Sequence, residues 1–217
     1  MPYLGAPQII NITMPSFREY CLSLDESLDT PYPWTTTHAG SDNYRAMFEV
    51  PGTSKAGHPQ TPLHYQVDFA KHTEQRIRWS GKDVHPWEFT FEASGSGEAN
   101  KRAANNPFGI TQTGHAFTVF ATVIAVMKAF IAHQHPSVIY FSAHESSRAR
   151  LYDRFITQVG ASVPGYVGHK LTGAMRPRGW WVTGLTSAPD WIGPGHYVIA
   201  KQAIPLKTIL TAVDSDA

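Results

Sequence analysis

Two glutamates, Glu88 and Glu92, stand in the run WEFTFEA, which also holds Trp87, Phe89 and Phe91. In an alternating strand the carboxylates share one face and the aromatics the other. A carboxylate held this way can act as a general base. It can equally be the ordinary solvent-facing charge of a half-buried strand. Asp68, in HYQVDFA, is a second carboxylate on a neighbouring strand candidate.

A different chemistry is suggested at Thr113-Gly114-His115-Ala116, just ahead of a long apolar segment. Small residues at Gly114 and Ala116 let an anion approach the backbone N–H groups at a helix N-terminus, where the helix dipole favours negative charge. His115 adds a side chain able to bind phosphate. The plainer reading of Gly114 is a turn between strand and helix.

The remaining chemistry-bearing residues carry less. His133 and His135 form an HxH pair ahead of Pro136, with no acid nearby in sequence, so an incidental role outweighs a metal site. Cys21 is the single cysteine, which excludes a disulfide framework and a cysteine-based zinc cluster. No nucleophile elbow, Walker loop or dinucleotide fingerprint is present. Net charge is +1, yet residues 1–100 hold 7 basic and 12 acidic side chains and residues 101–217 hold 11 and 5. Six basic residues (Arg148, Arg150, Arg154, Lys170, Arg176, Arg178) fall in one stretch with a single acid, Asp153. Such a sector suits a phosphorylated ligand or nucleic acid; a solvated helix face plus a basic loop accounts for it as well. Trp180, Trp181 and Trp191 lie in a Trp/Gly/Pro-rich loop over 172–195, as an interaction surface or as cover for the core.

Positioning these groups requires a defined order of elements. Gln8–Ile12 reads as a short strand, and Phe17, Tyr20, Leu24 and Leu28 form one helical stripe after Pro15. Residues 29–43 read as a loop. Tyr44–Val50, His64–Ala70 and Trp87–Ala93 alternate apolar and polar residues, as strands of an antiparallel meander do, with residues 51–62 and 72–86 as connections. Residues 94–107 are small and polar and read as a mobile loop. From Ala116 the apolar positions Phe120, Val123, Met127 and Phe130 form a stripe, with Phe117, Ile124 and Ile131 on the other side. That pattern belongs to a buried helix, which Pro136 ends. Ser137–Ala143 reads as a central strand. Ser146 or Ser147 caps a helix carrying Tyr152, Phe155, Ile156 and Val159, with its stop at Gly160. Strands follow at Tyr166–Leu171 and His196–Gln202. The expectation is one α+β domain over 1–217, with a mixed, largely antiparallel sheet and a central β-α-β unit.

Composition limits the function classes. Hydrophobic residues are 42% of the 217 and charged residues 16%, so most of the chain is globular. The stretch Ala116 to Ala132 is interrupted by Thr118, Thr122 and Lys128 and is too short to span a membrane. MPYLGAPQ shows no secretory signal, so an intracellular or virion location is expected.

The element order and two local segments resemble the GNAT acyltransferase superfamily. Thr111-Gln112-Thr113-Gly114-His115-Ala116 falls where that family has an (Arg/Gln)-x-x-Gly-x-(Gly/Ala) turn; Gly114 and Ala116 match and Thr111 departs. Glu145 to Tyr152 falls where the family has Asn-x-x-Ala-x-x-Leu-Tyr; Leu151 and Tyr152 match, Glu145 and Arg148 depart. Ile110–Ile124 and Phe141–Arg154 together also resemble small phage-encoded proteins with ITxTGxA…VFATVI and FSA…SRxxLYDR segments. The resemblance implies a GNAT-like fold and an acyl-CoA-dependent N-acyltransferase, acting on an amine of a protein, small molecule or nucleobase. It implies acetyl-CoA or another acyl-CoA held at Thr113, Gly114, His115 and Ala116. Tyr152 would protonate the leaving thiolate, and Glu88 or Glu92 would be the base. The departures at Thr111 and Glu145 leave an alternative: a non-enzymatic virion component or macromolecule-binding protein on a degenerate scaffold of this kind. Localisation would then be host cytoplasm or phage virion.

Overall fold

The computed structural model describes residues 30–51, 62–94, 116–143, 146–171, 195–210 and 213–214. The expected strand at Gln8–Ile12, the helix after Pro15 and the expected loops over 94–107 and 172–195 lie outside the described residues, except that Ser94 and Gly195 belong to strands rather than loop. Elements in chain order are β1 (Trp34–Ala39), β2 (Asn43–Val50), β3 (Leu63–Lys71), β4 (Gln75–Trp79), β5 (Lys82–Val84), β6 (Trp87–Ser94), α1 (Ala116–Gln134), β7 (Val138–Ala143), α2 (Ser146–Ser162), β8 (Tyr166–Leu171), β9 (Gly195–Lys201), α3 (Leu206–Leu210) and β10 (Val213–Asp214). The fold is α+β, with a mostly antiparallel sheet.

Seven strands form the main sheet in the order β1-β2-β3-β6-β7-β9-β8. The alternation read from sequence decides which side chains point inward. Tyr44, Ala46, Phe48 and Val50 of β2, Tyr65, Val67 and Phe69 of β3, and Trp87 and Phe89 of β6 are all buried on one face. α1 and α2 pack on that face, adding Val123, Met127, Phe130, Phe155 and Val159 to one cluster. α1 is apolar nearly all round because it is covered nearly all round. Thr122, its buried polar residue, is satisfied: its hydroxyl donates to Thr118 O (2.6 Å) and accepts from Tyr32 N (2.8 Å).

Three sequence expectations need correction. Residues 29–43 are not all loop, because Trp34–Ala39 forms β1, paired antiparallel with β2. Thr35 to Ala39 are exposed, so this outer strand carries no apolar alternation to read. Residues 72–86 are not a plain connection either. They hold the β4–β5 hairpin, turned by Ser80 (φ 49°) and Gly81 (φ 75°), the positive-φ pair of a tight hairpin turn. This hairpin pairs with β10 through β4. With α3 it covers the sheet face away from α1 and α2, where Ile77, Ile204 and Ile209 meet Val138, Tyr140, Leu171 and Val198. Finally, α2 does not stop at Gly160. It runs to Ser162, and the chain turns at Pro164 and at Gly165 (φ 81°). α1 ends as expected: His135 takes a left-handed φ of 48° before Pro136.

Candidate functional site

The site is built at the parallel junction of the sheet. β6 and β7 pair in parallel at two positions, Trp87↔Ile139 and Glu88↔Tyr140. Beyond them the facing edges part. The outer edges stay paired: β6 follows β3 as far as His64↔Ser94, and β7 follows β9 as far as Ala143↔Gly195. The parted edges therefore hold backbone N–H and C=O groups that do not pair across the junction.

On the helix face the junction is aromatic. Phe89 and Phe141 meet edge to face at 5.3 Å, and each lies 5.6 Å from Phe155 of α2. Tyr152 is 8% exposed and packs against Phe141 (5.0 Å) and Tyr197 (5.7 Å). α2 begins within three residues of the end of β7, so it delivers Tyr152 to the parted end of the junction.

On the opposite face the junction is polar. His72 follows the last residue of β3, and its backbone N donates to Pro86 O at 2.9 Å. Its Nε2 lies 3.1 Å from Glu88 Oε2 and 2.6 Å from the Tyr140 hydroxyl. The side chains of His72 and Glu88 are 20% and 41% exposed. Tyr140 is buried, and burial together with the Glu88 charge pushes its phenol far above the ordinary range.

The predicted residues thus divide. Tyr152 and Glu88 come to the same junction from opposite faces of the sheet. Glu92 is exposed four residues further along β6, in register with Gln66, and does not join the His72 group. Asp68 is occupied: Arg45 Nε is 2.6 Å from it and Gln66 Nε2 also donates to it. Ala116 is the first residue of α1, while Thr113, Gly114 and His115 lie outside the described residues. In the basic stretch, Lys170 is bound to Asp153 at 2.8 Å, which also accepts the Tyr197 hydroxyl at 2.9 Å. The side chains of Arg148, Arg150, Arg176 and Arg178 lie outside the described residues.

Sequence reasoning missed His72 and Tyr140. Tyr140 sits in an apolar run, VIYFSA, and its shared position with Glu88 depends on the register of a parallel pair formed across α1. The only available signal was a histidine directly after an alternating strand.

Residues 88–166 match the model of a family of unknown function (DUF6934). That span runs from Glu88 in β6 to the start of β8 and contains α1, β7 and α2, the elements that build the junction. No curated protein and no solved structure matches the chain. Among the described residues no helix is long and apolar enough to cross a membrane.

Proposed function

We propose that the chain is an acyl-CoA-dependent N-acyltransferase of GNAT-like architecture. The observation that carries this reading is the parting of β6 and β7 after Glu88 and Tyr140. An acyl-CoA presents an extended arm with two amides, and two parted strand edges offer the backbone donors and acceptors such an arm needs. Helix geometry adds support. Phe130, in the last part of α1, packs on Trp87 at the start of β6 (5.0 Å). α1 therefore runs back along the sheet, and its N-terminus points to the parted ends. The positive end of a helix dipole there suits a pyrophosphate, and the sequence ahead of it has small residues at Gly114 and Ala116. Tyr152, which α2 brings to the parted end of the junction, is the group to protonate a leaving thiolate.

A second reading has its own observation. The Phe89–Phe141 contact at 5.3 Å fills the helix side of the junction with the protein's own side chains. The protein would then be a virion component or macromolecule binder that keeps the scaffold without the chemistry.

Thermal unfolding with acetyl-CoA and with CoA separates the two. Ligand at about 100 times Kd adds roughly 2.7 kcal/mol, or about 2–4 °C in Tm per kcal/mol for a chain of this size. The acyltransferase reading expects that rise and its loss in Gly114→Leu. No rise at millimolar ligand overturns it in favour of the second reading.

A further inference from the structure

We propose that His72 is the proton acceptor for the incoming amine and that Glu88 is its positioning residue rather than the base itself. This rests on the acyltransfer reading and assigns a residue that the sequence motifs do not contain.

The argument starts from one nitrogen with two oxygen neighbours. His72 Nε2 faces Glu88 Oε2 at 3.1 Å and the Tyr140 oxygen at 2.6 Å. A ring nitrogen carries a proton or a lone pair, never both. A lone pair on Nε2 would face the carboxylate and be repelled by it. A proton on Nε2 is accepted by Glu88, and the Tyr140 oxygen can share it. The carboxylate therefore selects the Nε2–H tautomer, and the lone pair falls to Nδ1. In a histidine base held by a carboxylate, one ring nitrogen is anchored and the other is left basic. The hydrogen bonds of the His72 ring to the described residues fall on Nε2, and the side chain is partly open to solvent. The backbone bond from His72 N to Pro86 O and the buried Tyr140 ring, 5.4 Å away, hold the imidazole in place.

Position completes the case. Glu88 and Tyr140 form the last pair before the strand edges part. His72 lies on the face away from the helices and Tyr152 on the helix face. Proton acceptor and proton donor are thus separated by the sheet at one junction. In the balanced step, the amine nitrogen forms a C–N bond to the thioester carbonyl carbon and the C–S bond breaks. The amine proton passes to His72 Nδ1, and the Tyr152 proton passes to the thiolate. Solvent then restores both side chains.

Three measurements test this on the full chain. Nitrogen NMR of the free wild-type protein reads the His72 tautomer, and Nε2–H is expected; an Nδ1–H tautomer overturns the proposal whatever the acceptor. In Glu88→Gln the population shifts toward Nδ1–H, with Tyr140 donating to the bare Nε2; an unchanged tautomer overturns the role of Glu88. Thiol release from acetyl-CoA is then followed with spermidine and lysine amide as acceptors. His72→Gln is expected to keep the acetyl-CoA thermal shift and to lose about 10²–10⁴-fold in kcat, along with the fall in rate on the acid side of the pH profile. Glu88→Gln loses less in kcat, with KM unchanged. An active wild type matched by His72→Gln in rate and pH profile overturns the proposal and leaves acyl transfer standing. A wild type with neither thermal shift nor thiol release removes both.

Discussion

Glu88 on β6 and Tyr140 on β7 face each other across the last pair of the parallel junction, and both reach Nε2 of His72. The pair marks the place where the antiparallel half β1-β2-β3-β6 joins the half β7-β9-β8. Two strand pairings are few for such a join. The aromatic cluster and the two helices on one face, and the His72 contacts to Glu88 and Tyr140 on the other, add to the cohesion.

Phe130 should be a main contributor to the packing of α1 on the antiparallel half of the sheet. It is fully buried, stacks on Phe69 at 3.8 Å and touches Trp87 and Tyr44 edge-on at 5.0 and 5.4 Å. Phe130→Ala leaves a cavity between α1 and three strands. The expected cost is about 3–5 kcal/mol, read as a lower denaturation midpoint in urea with an unchanged slope.

Two glycines should respond to alanine with opposite sign. At Gly168 on β8 an added Cβ would lie 2.6 Å from Ile156 Cβ and 2.7 Å from Ile156 O, so α2 would have to move off the sheet. Gly168→Ala should cost about 1–3 kcal/mol. At Gly160, inside α2, the nearest atom to an added Cβ is Gly168 N at 3.6 Å. Gly160→Ala should stabilise by about 0.4–1 kcal/mol, because alanine loses less backbone entropy in a helix. Equal effects at the two sites would refute the close approach of β8 to α2.

Asp153 couples α2 to two strands. It accepts the Tyr197 hydroxyl at 2.9 Å and binds Lys170 at 2.8 Å. Asp153→Ala and Tyr197→Phe should each cost about 0.5–1.5 kcal/mol. The double variant should cost less than their sum, because the two share one hydrogen bond. Lys170→Ala, at an exposed pair, should cost no more than about 1 kcal/mol. Additive costs at Asp153 and Tyr197 would show that the bond carries no energy.

Alkaline unfolding should be led by buried tyrosines. Burial pushes Tyr65 and Tyr166 from 10.0 up to about 12, and Tyr140 and Tyr197 are raised further. A phenol raised in the folded state resists ionising there, while the unfolded chain ionises freely. The stability these groups contribute is intact below pH 10.0 and falls as pH rises toward about 12. Tyrosinate absorbance should therefore grow together with loss of near-ultraviolet circular dichroism. Complete ionisation near pH 10 in a protein that stays folded would contradict it.

Much of the fold is legible from period alone. The alternation of Tyr44 to Val50, Tyr65 to Phe69 and Trp87 to Phe91 gives β2, β3 and β6 and their inward faces, because one face of each is buried. The all-round apolar run after Ala116 gives α1, and the stripe through Tyr152, Phe155 and Val159 gives α2. The exposed β1 was not legible, since a strand with little to bury leaves no pattern. The β4–β5 hairpin was masked by its brevity, with strands of five and three residues.

The candidate site divides the same way. Local composition by itself determined that Glu88 leaves the apolar face of its strand and that Tyr152 lies on the inward stripe of its helix, because strand and helix periods act over a few residues. Only the tertiary structure decided that both meet at one junction, that Asp68 is taken by Arg45, and that Glu88 and Tyr140 share His72. Those relations depend on the register between β6 and β7, strands separated by more than forty residues of chain, and no local period carries a register that distant packing sets.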